Sequence, residues 1–397
     1  MTRPRLVHVV TSPFSAWALM RGQLRFMREA GFDVTIVSAP GATLDKTAAR
    51  EGVRAVAVPM QRKPTPCRDL VSLARLTKLL KRIRPDIVHV STPKAGLLGG
   101  LATRVTGAPV RIHTLRGIRA GASVGPLART LVAAERMTCR SAHRVYCVSE
   151  SVRRQAIELG LAPPEKLVVL GSGSSNGVDS SQFNRNPELL RRSEELRKEV
   201  RLPGRAPVIG FVGRLVRDKG VVELFEAFRA LRDRFPRLRL LTVGAFESYD
   251  AVPPKARSEM EGSDGVVFAG HLDDVAPAYA LMDVLALPTY REGFPNVPLE
   301  AASMELPVVA TRVTGCVDAV VDGVTGTLVP ARDAPALAEA LHRYLGDPKL
   351  RQSHGRAGRE RVVREFQQER IWQALYDEYV RLLHWKGLPT PKPVREQ

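Results

Sequence analysis

Four cysteines, Cys67, Cys139, Cys147 and Cys316, are all that this 397-residue chain carries, and no two of them form a Cys-x-x-Cys pair. That excludes a disulfide scaffold and a cysteine-based zinc site, and the thiols read as reduced, as in a cytoplasmic protein. Other metal motifs are equally missing. There is no Asp-x-Asp, no His-Glu-x-x-His and no EF-hand-like loop, and Asp273-Asp274 reads as a helix start. Neither a Walker loop nor a Gly-x-Ser-x-Gly elbow occurs. No apolar run reaches the length of about 18 residues that a membrane-spanning helix needs. The N-terminus, Met1-Thr2-Arg3-Pro4-Arg5, runs directly into a strand-like segment without a signal-peptide core. Aromatic residues make up only 6% of the chain and do not alternate with the cations, which speaks against a nucleic-acid stacking platform.

Negative charge is scarce in one half only. Residues 1–180 hold 28 Lys and Arg against 11 Asp and Glu, a balance of +17 out of the total of +19. Such asymmetry points to an anionic membrane face, a phosphorylated substrate or nucleic acid. The length suggests two domains. In the first half, Val- and Ile-rich segments (5–10, 33–39, 53–60, 86–91, 109–115, 144–149 and 166–170) alternate with segments of helical spacing (17–30, 69–84 and 127–142). That rhythm predicts βαβ units and a parallel sheet. It breaks over 171–205 and restarts with strands at 207–212, 238–243, 266–269, 284–287, 307–311 and 326–329. The expected organisation is an N-terminal domain over 1–175, a linker over 176–205 and a second domain over 206–365. A terminal helix over 366–387 and a disordered Pro-rich tail over 388–397 complete it.

Two loops of the second half carry the chemistry. Gly213-Arg214-Leu215-Val216-Arg217-Asp218-Lys219-Gly220 follows the first strand, where Arg214 and Lys219 could clamp a diphosphate. Taken alone it reads equally well as an exposed loop with surface cations. The second loop runs from Pro288 to Glu300 and joins a buried strand to a helix. Gly293 lets the backbone approach a ligand, and the N–H groups of Phe294, Asn296 and Val297 can act as anion donors. Glu292 and Glu300, eight positions apart, could hold an elongated polar ligand at two points, Glu300 through a diol. A capping and a solvated glutamate would be the bland alternative.

The whole string Glu292-Gly293-Phe294-Pro295…Glu300 resembles the acidic motif of family-4 retaining glycosyltransferases, and Gly213-Arg214-Leu215…Lys219-Gly220 resembles their diphosphate loop. Phe268-Ala269-Gly270-His271, Pro307–Thr311 and Asp322-Gly323-Val324-Thr325-Gly326 are also similar. The resemblance implies a GT-B fold, two facing Rossmann-like doubly wound parallel-sheet domains with a cleft between them. It implies transfer of a sugar from a nucleotide-diphosphate donor with retention, and no cofactor or metal. Arg214, Lys219, Glu292 and His113 would be catalytic. Gly213, Gly293, Phe294, Asn296, Val297 and Glu300 would bind the donor. With no second carboxylate in evidence as nucleophile, front-face attack is expected.

His113, at the end of the segment 109–115, is placed where relatives contact the donor sugar, although a lone histidine there is more often structural. Phe14, Arg116 and Arg119 are candidates for the acceptor side. The chain departs from the family in lacking Gly-Gly at Thr11–Trp17 and in having Met304-Glu305 before Leu306. Gly171-Ser172-Gly173-Ser174-Ser175-Asn176-Gly177 has the wrong spacing for a dinucleotide loop and reads as linker. Asp69–Arg84 is a basic amphipathic helix whose Arg75, Lys78, Lys81 and Arg82 could meet anionic lipid, and a core-packed helix with a charged outer face is the common alternative. A saccharide or polyprenyl-linked acceptor at the inner membrane face is therefore expected. An epimerase or phosphorylase of the same fold and a non-enzymatic binder of nucleic acid or another anionic surface are the competing readings.

Overall fold

A computed structural model describes residues 3–61, 63–118, 125–204 and 206–391. The chain divides into two compact units, Met1–Asn176 with Gln368–Gln397, and Gly177–Gln367.

The first unit is built on β1 (Arg5–Val9), β2 (Asp33–Ser38), β3 (Arg54–Ala57), β4 (Ile87–Ser91), β5 (Val110–Leu115), β6 (Arg144–Cys147) and β7 (Leu167–Val168). All pair in parallel, in the order β3-β2-β1-β4-β5-β6-β7. Its connecting helices are α1 (Pro13–Leu19), α2 (Gln23–Glu29), α3 (Ala42–Glu51), α4 (Pro66–Ile83), α5 (Pro93–Thr106), α6 (Pro126–Ser141) and α7 (Glu150–Glu158). A parallel sheet is covered on both faces, so its strands are apolar without a polar alternation. Leu6, Ile36, Ile87 and Ile112 fill the core on one face, and Val7, Val37, Val88 and Val90 fill it on the other.

The second unit carries β8 (Val208–Val212), β9 (Arg239–Val243), β10 (Val266–Phe268), β11 (Val284–Leu287), β12 (Val308–Thr311) and β13 (Gly326–Val329). Their order is β10-β9-β8-β11-β12-β13, again all parallel. Numbered within the unit, this is the 3-2-1-4-5-6 order of a Rossmann sheet, with its reversal between β8 and β11. The helices are α8 (Pro187–Glu199), α9 (Val221–Arg232), α10 (Pro254–Glu261), α11 (Ala276–Ala280), α12 (Val297–Ser303), α13 (Cys316–Ala319), α14 (Ala334–Gly346) and α15 (Pro348–Glu365).

The last helix, α16 (Gln368–Trp385), belongs to the first unit. Its Leu375, Tyr379, Leu382 and Leu383 enter the core beside Leu6 and Ile112. Each such side chain contributes roughly 1.5–3 kcal/mol of burial.

Three expectations change. The helix expected over 17–30 is broken, because Gly22 takes φ +79° and the Trp372 indole lies where a Cβ would stand. The segment expected as linker contains α8, capped by Asn186 and buried through Leu189 and Leu196 in the core of the second unit. Its apolar residues were masked by the many charges around them. Of the tail, Leu388 packs on the first unit's core, while residues 392–397 lie outside the described residues.

Candidate functional site

The loops after β8 and β11 flank the reversal of strand order in the second sheet, the place where open α/β sheets bind ligands. They are tied together backbone to backbone. Gly220, at φ +69°, lies so close to the other loop that a Cβ would stand 2.0 Å from the Pro288 carbonyl oxygen. The Tyr290 N–H and the Thr289 hydroxyl both donate to the Asp218 carbonyl, at 2.8 and 3.1 Å. Arg291 pairs with the Asp218 carboxylate at 3.0 Å. These ties bring the Lys219 ammonium onto the Glu292 carboxylate, with both side chains largely covered. Arg214 is held in the same loop by Glu247 at 3.2 Å.

Behind the second loop, Gly315 has φ +80°, and a Cβ there would lie 2.4 Å from the Gly293 carbonyl oxygen, so both the conformation and the close approach call for glycine. Phe294 packs on Phe366, ring centroids 5.4 Å apart. Asn296 caps α12 by position only. Its side chain makes no cap hydrogen bond, and its buried Oδ1 finds no partner among the described residues. The N–H groups of Phe294, Asn296 and Val297 find no backbone acceptor among the described residues. The result is a run of donors beside a Lys–Glu pair, suited to an anion next to a polyol.

Glu300 sits one turn into α12, where the buried Tyr279 hydroxyl donates to it at 2.8 Å. Desolvation raises its pKa, and the Tyr279 bond partly offsets this. One carboxylate oxygen is thus held while the other stays free to accept.

Of the residues singled out by sequence, the second unit gathers Gly213, Arg214, Lys219, Glu292, Gly293, Phe294, Asn296 and Val297 around one strand-order reversal, with Glu300 on the helix that follows. Asp218, Glu247 and Tyr279 were missed. Glu247 could have been found, because the strand order places the loop after β9 beside the loop after β8. Tyr279 gave no sequence signal.

His113 requires a correction in the first unit. It is not at the carboxyl edge of its strand but inside β5, with 2% of its surface exposed. It faces α5 and α6, where a Cβ on Gly96 would meet both its ring and Thr138. Its Nδ1 lies 3.3 Å from the Val90 carbonyl, and desolvation lowers its pKa to about 4. It is therefore a neutral histidine inside the sheet, with its Nε2 buried and unpartnered among the described residues. The alternation of the strand instead puts Thr114 and then Arg116 on the opposite face, with Arg116 just past the strand end. Phe14 is 55% exposed on α1, and Arg119 lies outside the described residues.

On α4, Arg75, Lys78, Lys81 and Arg82 are exposed, and so are Leu70 and Val71 one to two turns earlier. Leu76, Leu79 and Leu80 hold the helix to the core. No described helix is long and apolar enough to cross a membrane.

Residues 206–347 match the family described as glycosyl transferases group 1, and residues 16–173 match the glycosyl transferase 4-like domain. The capsular polysaccharide biosynthesis glycosyltransferase CapM of Staphylococcus aureus is 36% identical over 379 residues, 96% of this chain and 97% of that protein. The chain is a group 1 glycosyltransferase. The transferase is also 27% identical over 304 residues, 76% of this chain and 77% of the relative, to an Escherichia coli enzyme. That enzyme is the UDP-Gal:alpha-D-GlcNAc-diphosphoundecaprenol alpha-1,3-galactosyltransferase. In fold it matches the crystal structure of Anabaena Alr3699/HepE in complex with UDP-glucose, with a TM-score of 0.81. That match covers 94% of this chain and 99% of the other at 19% identity, so it speaks for the GT-B fold alone.

Proposed function

We propose that the transferase moves a hexose-type sugar, with retention, from a nucleotide-diphosphate donor to a lipid-linked saccharide in polysaccharide assembly. The observation that carries the donor side is the Lys219–Glu292 pair held at the strand-order reversal by the Asp218 ties. An arriving diphosphate competes for the Lys219 ammonium and frees the Glu292 carboxylate to accept from the sugar hydroxyls. Lys219 and Arg214 then stabilise the charge that develops on the leaving diphosphate, where fixed donors are worth most. The Gly293–Phe294 turn orients the sugar and Glu300 accepts from the ribose. Front-face departure and attack needs no carboxylate nucleophile. The acceptor side rests on the basic first half of the chain and on the activities of the relatives. The exposed Leu70–Val71 pair ahead of the cations of α4 suits a membrane surface, with apolar side chains to enter it and cations to meet its phosphates.

The test is transfer from a panel of nucleotide sugars by wild type, Glu292→Gln and Lys219→Ala. Each variant should lose roughly a hundredfold or more in kcat while staying folded. The anomeric configuration of the product, read by proton NMR, should match that of the donor, and activity should survive EDTA. Near-normal rates would remove that residue from the catalytic set, and an inverted product would overturn the retaining assignment.

A further inference from the structure

The face of the first sheet that α16 covers holds an unusual polar interior. His8 on β1 and His89 on β4 lie side by side, ring centroids 4.9 Å apart and tilted by 35°, and both are buried. The hydroxyl of Tyr379, on α16, lies 2.5 Å from His89 Nδ1 and 3.4 Å from His8 Nε2, and the Thr114 hydroxyl lies 2.6 Å from His89 Nε2. The bonds therefore run in a line from His8 through Tyr379 and His89 to Thr114.

The free end of that line fixes its direction. His8 Nδ1 is buried without a partner among the described residues. A bare imidazole nitrogen there costs less than a stranded N–H. So His8 Nε2–H donates to Tyr379, Tyr379 donates to His89 Nδ1, and His89 Nε2–H donates to Thr114. The Thr114 hydroxyl hydrogen is left to point onward.

It points at a cavity of about 30 Å³ lined by Thr114, Arg116, Tyr146, His89, Gln23 and Ser174 among others. Arg116 makes no ion pair among the described residues, and its enclosed Nε has no acceptor. The Tyr146 hydroxyl, on a side chain 4% exposed, is likewise unpartnered. No carboxylate lines the cavity among the described residues, and the sequence from Arg116 to Leu127 contains no acidic residue. Burial lowers the Arg116 pKa to about 10, the mark of a cation short of compensation. Arg116 is only partly buried overall, but its enclosed Nε lacks an acceptor and its charge lacks a counter-charge among the described residues, and an anion in the cavity would supply both.

We propose that this cavity is an oxyanion subsite of the first unit, in which Arg116, Thr114 and Tyr146 bind one carboxylate or phosphoryl head carried by the acceptor. A space of one or two waters takes the oxygens of such a head and excludes a sugar ring. The anion affinity stands on the cavity alone, and its assignment to the acceptor rests on the transferase reading above.

The test uses the full chain at low ionic strength, titrated calorimetrically with inorganic phosphate, glucuronate or glucose, with and without saturating UDP. UDP occupies the second unit's phosphate loop, so anion binding that persists in its presence reports the first unit. Failure of UDP itself to bind would count against the donor site and leave the anion result readable. Wild type should bind phosphate or glucuronate saturably and glucose not at all, and which anion binds identifies the source. Arg116→Gln should weaken that binding at least tenfold while melting no earlier than wild type in anion-free buffer. If Arg116→Gln does not fold, Tyr146→Phe should weaken binding severalfold and Arg116→Lys should retain part of it. The proposal is overturned if neither anion saturates the UDP-bound protein, or if removing these donors leaves binding unchanged.

Discussion

Replacing Gly220 by alanine tests the idea that the two loops of the second unit act as one device. The substitution has two separable effects. Alanine at φ +69° carries a conformational cost of about 1 kcal/mol. Its Cβ would also stand 2.0 Å from the Pro288 carbonyl oxygen, a backbone atom that cannot rotate away. One loop must retreat by about 1 Å, adding roughly 1–3 kcal/mol of overpacking. Lys219 precedes Gly220 and Glu292 follows Pro288 by four positions, so the retreat separates the ion pair. Misplacement by about 1 Å at a reacting centre can cost about a hundredfold. The expected outcome is a loss of roughly that size in kcat/KM, with a lower melting temperature. Gly323→Ala supplies the control: Gly323 has φ +72° in the same unit, but nothing lies within 4 Å of a Cβ there. It should lose about 1 kcal/mol of stability and keep its rate. If Gly220→Ala is as active as Gly323→Ala, contact between the loops does not position the site.

The proposed membrane association would run through α4. Co-sedimentation with vesicles should require anionic lipid and weaken steeply with salt. It should fall when Arg75, Lys78, Lys81 and Arg82 become Glu, and also, at unchanged charge, when Leu70 and Val71 become Ser; a protein left in the supernatant at low salt refutes the surface reading. Acid should weaken the first unit before the second. His8, His89 and His113 are buried, and desolvation lowers their pKa values, to about 3 for His8 and about 4 for His113. The unfolded chain then takes up protons that the folded chain refuses, so the stability present above the unfolded value of about 6.5 is lost as pH falls toward the folded values. His113 alone accounts for roughly 3 kcal/mol. Calorimetry at pH 7 and pH 5 should show the first unit's transition moving down more than the second's, and equal shifts would refute the assignment.

Both sheets were legible in the sequence because a parallel strand buried on both faces must be apolar throughout, and such runs bounded by helices are hard to mistake. The loop after β11 was legible for another reason, since the string Glu292-Gly293-Phe294-Pro295…Glu300 between a buried strand and a helix resembles a specific family motif. What stayed hidden depended on which way a side chain points. His113 and Arg116 lie three residues apart on the same strand and its exit, and composition alone favoured the histidine. Strict alternation sends His113 into the α5 face and Arg116 to the α16 face, so a reading by strand face would have reversed their ranks. Tyr279, Glu247 and the His8–Tyr379–His89 line were hidden more deeply, because each depends on contacts between segments remote in sequence. The hidden contacts are also the polar ones. An apolar core tolerates many sequences and is therefore predictable from pattern, whereas a buried hydrogen-bond line requires every partner at its own position. Such a line carries little periodic signal, and in this chain it runs from His8 to the cavity where Arg116 lacks a counter-charge.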